Sequence, residues 1–252
     1  MRAAVAGVNI ILGLAYTGYG VITAAELKRG WRTYGFSHFA AAWIAMAFTC
    51  GPHHLAHGVH VAFEGRSASG LDLFVVVIGL PFGIIWLLLR LEAMRGGRGD
   101  RFIAGTPPWM LASPTIAAVY LTALIALLIS VSHGQLRYAS TIPPNAILLV
   151  LYMVIGYFLI RTQLRNHGSL EGWSVSGCSL AVVFPTCALM HTVFAVYAMT
   201  GVYAPDSHAL WIDWLAVPAA AYFLWVVRGL YRDSLRDWNQ TMGSQAYAPV
   251  TR

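Results

Sequence analysis

Residues 71–91 read LDLFVVVIGLPFGIIWLLLRL, and this stretch decides the fold. Its only charges, Asp72 and Arg90, stand near its two ends. A helix needs about 20 mostly apolar residues to cross a bilayer, and a helix satisfies its own backbone where no water is present. Working outward, stretches of the same kind recur at approximately 4–25, 38–63, 113–133, 143–163, 174–200 and 207–231. The sequence therefore predicts an all-α, polytopic integral membrane bundle of seven transmembrane helices, forming one domain over residues 1–252.

Composition agrees with that reading. Of the 252 residues, 58% are hydrophobic and 10% charged, against about 25% charged in a typical soluble domain. The apolar stretches leave no room for a separate soluble domain. The first of them has no small-x-small cleavage site behind it and is expected to be a retained helix.

The formal charge of +6 does not point to nucleic acid, because the basic residues sit in short connections between apolar stretches. Only Arg2, Arg66 and Arg137 fall on one side; the rest of the 16 Lys and Arg, from Lys28 to Arg252, fall on the other. Basic residues gather on the cytoplasmic side. The N-terminus is expected outside and the C-terminus in the cytoplasm. The chain is expected to be integral to the cell membrane, with the lipid bilayer as partner and other membrane subunits left open. Cys50, Cys178 and Cys187 lie inside apolar stretches and form no C-x-x-C pair, so no disulfide framework is expected.

The second span carries the chemistry, in MAFTCGPHHLAHGVHVAFEG from Met46 to Gly65. At roughly 100° per residue, Met46, Cys50, His53, His57, His60 and Glu64 share an arc of about 80°. His54 lies about a quarter turn off it. Ionisable groups in a membrane are costly and normally face the bundle interior. Imidazole and thiolate are ligands for Zn, Cu or Fe, and His53 and His57 have the i, i+4 spacing that lets one helix grip an ion.

Depth matching extends the pattern. A rise of about 1.5 Å per residue brings His191 of the sixth span to the level of His53, with Cys187 one turn before it. His133 ends the fourth span nearer the outer surface. Asp213, inside the seventh span, falls in the same outer half. His38 and His167 belong to the cytoplasmic side. Pro52 and Pro185 loosen backbone at the histidine level, as a cavity lining would. Pro81 and Pro218 mark kinks elsewhere, and Gly13 and Gly20 in the first span would let a partner helix approach closely.

These residues predict a transition-metal site in the outer half of the bilayer. His53, His57, His60, His191, Cys50, Cys187 and His133 are candidate ligands, and Asp213 and Glu64 candidate acid–base or positioning groups. The metal (Zn, Cu or Fe) is not resolved. With copper, Cys50, Cys187 and Met46 gain weight, because soft ligands suit Cu(I). The site would serve a metal-dependent membrane enzyme or a metal-handling protein. One alternative is a b-type haem electron carrier with His57 or another second-span histidine and His191 as axial ligands. Another is a pH-responsive sensor, channel or transporter.

A retinal pigment is excluded, because it needs a lysine in the last span and the only lysine is Lys28. Met190-His191-Thr192 resembles one copy of the repeated motif of the MHYT sensors, and His53-x-x-x-His57 resembles one box of membrane hydroxylases and desaturases. Both families need further copies that this sequence lacks, so no family is assigned.

Overall fold

The computed structural model describes residues 1–63, 69–132, 140–201 and 208–245, except for the side chains at 34, 208–210 and 234–245. Along the chain run α1 (Arg2–Tyr34), α2 (His38–Phe63), α3 (Gly70–Met94), β1 (Phe102–Ile103), α4 (Pro108–Leu111), α5 (Ser113–Val131), α6 (Ile142–Asn166), β2 (Trp173–Ser174), α7 (Val175–Thr200) and α8 (His208–Gln245). Among the described residues the molecule is all-α apart from two short strands. Six helical segments among them, within α1, α3, α5, α6, α7 and α8, are long and apolar enough to cross a membrane. The 26-residue α2 is long enough, but its histidines interrupt the apolar run.

Several ends are fixed by local chemistry. Ser69 and Asp72 form a reciprocal cap on α3, each side chain accepting from the other's backbone N–H at 3.1 and 2.7 Å. Gly201, with φ of 73°, ends α7 in the left-handed region, where glycine carries no Cβ penalty. Two helices outrun their expected bounds. The run Ala24-Ala-Glu-Leu-Lys28 is made of good helix formers, so α1 continues to Tyr34 and carries Lys28, Arg29 and Arg32 on helix rather than loop. Helix α8 likewise runs on to Gln245.

Six helices close a ring by successive contact, α1 to α3, α7, α6, α8, α2 and back to α1, while α5 packs outside against α6 and α7. The apolar outer face of α2, including Phe48 and the 83% exposed Phe63, is left uncovered. Side chains fill the ring in layers. Toward the end bearing Lys28 and Arg90, Trp43 stacks on Trp86 at 5.1 Å and meets Tyr19 and Phe223, and Phe223 stacks on Phe184 at 5.2 Å. Such aromatic pairs contribute about 0.5–1.5 kcal/mol each beyond burial. This plug separates the basic end from the polar interior.

At the basic end, the Gly-, Arg- and Pro-rich connection after α3 contains a short strand that pairs with the segment before α7. Phe102 pairs with Ser174 and Ile103 with Trp173 in an antiparallel register. Asp100 anchors the turn, accepting from the Ser174 hydroxyl at 2.6 Å, the Ser176 hydroxyl at 2.7 Å and the Ser176 N–H at 2.9 Å. Partial burial alone would raise the Asp100 carboxyl. The hydrogen bonds from Ser174, Ser176 and the Arg101 N–H outweigh it and hold the group below the usual carboxylate range. A depressed folded-state value means the contribution is present above the unfolded value of about 4 and fades as pH falls through the folded one. Asp100→Asn should therefore cost about 1 kcal/mol at neutral pH, discounted for solvent access. It should also flatten the acid limb of a thermal-unfolding series in detergent. An unchanged acid limb would remove Asp100 as its cause.

Candidate functional site

The polar interior lies at the other end of the ring, around the C-terminal halves of α2 and α7 and the first turns of α6 and α8. His53, His54, His57 and His191 are all buried, as are Asn9, Asn145 and Asp213. The ring centroids of His53 and His191 stand 5.7 Å apart across the lumen, so α2 and α7 face each other through these imidazoles. Phe194, one turn beyond His191, packs on both His53 and His57 at 5.4 and 5.3 Å.

Three oxygens anchor three imidazoles. Asp213 Oδ1 lies 3.0 Å from His53 Nδ1, but outside the angular range of a directed hydrogen bond, so the carboxylate flanks the ring at contact distance. Asn145 donates through Nδ2 to Asp213 Oδ2 at 3.0 Å and to the Thr141 carbonyl at 2.9 Å. Both partners only accept, which orients the amide and leaves its Oδ1 for the His191 Nδ1–H at 2.6 Å. By the same logic Asn9 donates to the Val5 carbonyl at 2.9 Å and accepts from the His54 Nδ1–H at 2.8 Å. His54 and His191 are thereby fixed as Nδ1–H tautomers when neutral, with Nε2 carrying the lone pair. His53 Nε2 is buried and has no hydrogen-bond partner among the described residues.

One turn toward the aromatic plug, Cys50 Sγ lies 3.4 Å from the Tyr152 hydroxyl. Cys50, Cys187 and Met46 border one small cavity there. His60, half-buried, stands near the α2 terminus. Glu64 and His133 lie outside the described residues. His38 and His167 are apart from the cluster, the first bonded to the Tyr222 hydroxyl at 2.8 Å and the second to the Leu164 carbonyl at 2.7 Å.

Compared with known protein families, curated proteins and solved structures, the chain matches none. Its chemistry must be read from its own residues.

The multi-ligand grip expected from the α2 stripe is not assembled. Among the described residues no group of three or more His, Cys, Asp or Glu could hold one metal ion. The Phe194 ring explains this, since it packs against both His53 and His57 where a shared ion would need them to converge. Of the two, only His53 draws level with His191. Sequence reasoning missed Asn145, Asn9 and the off-stripe role of His54. The available signal was two carboxamides inside apolar helices, where an unbonded polar group is costly.

Proposed function

We propose that the chain is a seven-span protein of the cell membrane, N-terminus outside, that holds a transition-metal ion between His53 and His191 in the outer half of the bilayer. The observation that carries this is the buried Nε2 of His53, which has no hydrogen-bond partner among the described residues. Leaving such an atom unsatisfied costs about 1–3 kcal/mol, and coordination relieves it. The flanking groups support the same reading, because a ligating histidine normally has its other ring nitrogen held by a carboxylate or carbonyl. Asp213 and Asn145 stand in those positions, and the Asp213 carboxylate offsets the charge of a bound cation.

Two imidazoles with no third ligand joining them among the described residues suit Cu(I) better than Zn, which takes four ligands in structural sites. Metal handling is favoured over turnover, because Asp213 already has Asn145 and His53 against its two oxygens. A proton relay is disfavoured, because the link between Asp213 and His191 is the Asn145 amide, which orients but does not carry protons. The inward polar face and bare apolar outer face of α2 support its counting as the seventh span.

Elemental analysis and an optical spectrum of protein purified without chelator test the proposal. Bound copper is expected, with affinity at least about tenfold lower in His53→Gln and in His191→Gln. Metal-free and haem-free wild type, or metal content indifferent to both substitutions, would sink it. A Soret band would transfer the two histidines to a haem.

A further inference from the structure

We propose a second, sulfur-based Cu(I) site one helical turn inward from the imidazoles, formed by Cys50 and Cys187 with the Met46 thioether. It goes beyond the histidine centre and does not depend on it.

Cys50, Cys187 and Met46 line one cavity of about 20 Å³, room for little more than one water or one ion. Met46 and Cys187 are buried and Cys50 is half-buried, and both cysteines are free thiols. The Tyr16 and Tyr152 rings complete the wall. Tyr16 is 6% exposed, and its buried hydroxyl has no hydrogen-bond partner among the described residues. That hydroxyl stands beside the Cys187 thiol, so a polar group shares the cavity with the soft donors.

Placement is the second argument. Cys50 precedes His53 by three residues on α2, and Cys187 precedes His191 by four on α7. Each thiol thus lies about 5 Å inward of an imidazole on the same helix face. The same two facing helices that bring His53 and His191 together also bring the thiols to one level. Below them Trp43 and Phe184 meet edge-to-face at 6.1 Å and floor the cavity on the side of the basic end.

Soft sulfur donors in an apolar site select Cu(I) over harder ions. Binding is balanced by one proton. A Cu(I) ion forms a bond to one cysteine sulfur as that S–H gives its proton to solvent, leaving an electroneutral copper–thiolate unit. The second thiol and the thioether then donate as neutral ligands, and no oxidant or reductant is consumed.

The test is anaerobic titration of the full chain in detergent with Cu(I), buffered by a chromophoric Cu(I) chelator, with copper K-edge absorption as the structural readout. Sulfur scattering is expected in wild type. The Cys50→Ser, Cys187→Ser double variant should lose that scattering together with one equivalent of copper, while His53→Gln, His191→Gln keeps it. On wild-type protein, Cu(I) should slow alkylation of Cys50 and Cys187 at least about tenfold, as a closed metal–thiolate bond requires, and leave Cys178 unchanged. This second readout holds even if the serine variant fails to fold.

Absence of sulfur scattering at saturating Cu(I), its persistence in the serine variant, or unprotected Cys50 and Cys187 would overturn the site. Each leaves a cavity that holds water only. Loss of sulfur scattering with imidazole-bound copper retained removes this site alone; the converse removes the histidine centre alone.

Discussion

Replacing Asp213 by leucine is expected to destabilise the bundle by about 2–5 kcal/mol, since the buried Asn145 donor loses an acceptor and His53 loses its flanking carboxylate. Asp213 is 3% exposed and stands between the Asn145 amide and the His53 ring. Without it, Asn145 Nδ2 keeps only the Thr141 carbonyl, and no anion remains beside His53. Asp213→Asn separates orientation from packing. Its volume is almost unchanged, so unfolding should move by about 1 kcal/mol or less on the scale of conservative swaps. Its amide nitrogen, however, must face either the Asn145 amide N–H or the His53 ring. One of the two then turns away, and the imidazole pair loses its registration. Metal affinity is expected to fall about 10–100-fold, as for other residues that orient a ligand histidine. Thermal unfolding and metal content, measured on both variants, check this. An Asp213→Asn protein that binds copper like wild type would show that the carboxylate does not position His53.

The histidine stripe was legible because each ionisable group inside an apolar helix carries a cost that packing alone never requires. Helix bounds were legible for the same kind of reason. Where polar residues hold off the run at Ser37, α2 begins at His38, whereas helix-forming residues after Thr23 carried α1 past the expected surface. What one helix cannot reveal is which neighbour meets which face. His54 lies off the stripe, yet α2 sits in a ring with α1 on one flank and α8 on the other, so a second polar face finds its own partner in Asn9. Asn145 was illegible because a carboxamide is cheaper to bury than a charge. Nothing along α6 indicates that its first turn will stand between α7 and α8. The ladder of layers, from aromatic plug through sulfurs to imidazoles, is likewise a product of helix register and not of any one segment.

That register rests on how closely α1 and α2 touch, and Gly51→Val should therefore have the largest effect of any single substitution away from the polar cluster. A Cβ at Gly51 would collide with the Thr17 hydroxyl and meet the Thr17 backbone nitrogen at 2.9 Å and the Gly13 carbonyl oxygen at 3.1 Å. A Cβ at Gly13 would in turn meet the Gly51 carbonyl oxygen and the Leu55 nitrogen, each at 2.9 Å. Gly58, two turns along α2, stands 3.1 Å by the same measure from the Ala6 carbonyl oxygen. Small residues allow such backbone approach in membranes, where dispersion and not water release drives association. A side chain that meets backbone has nothing flexible to push aside, so the helices must separate. Overpacking typically costs about 1–3 kcal/mol, and here the upper end or more is expected, because the whole seam opens. The same displacement draws His54 from Asn9, whose 2.8 Å contact lies between Gly51 and Gly58 on the seam. Gly7→Ala is the control. A Cβ there meets nothing within 4 Å, and alanine's better helix propensity should leave stability equal or higher by up to about 1 kcal/mol. Unfolding in detergent should rank Gly7→Ala, wild type, Gly51→Ala and Gly51→Val in descending order. If Gly51→Val were as stable as wild type, α1 and α2 would not be in backbone contact, and the level that α2 gives to Cys50 and His53 would have to come from somewhere else.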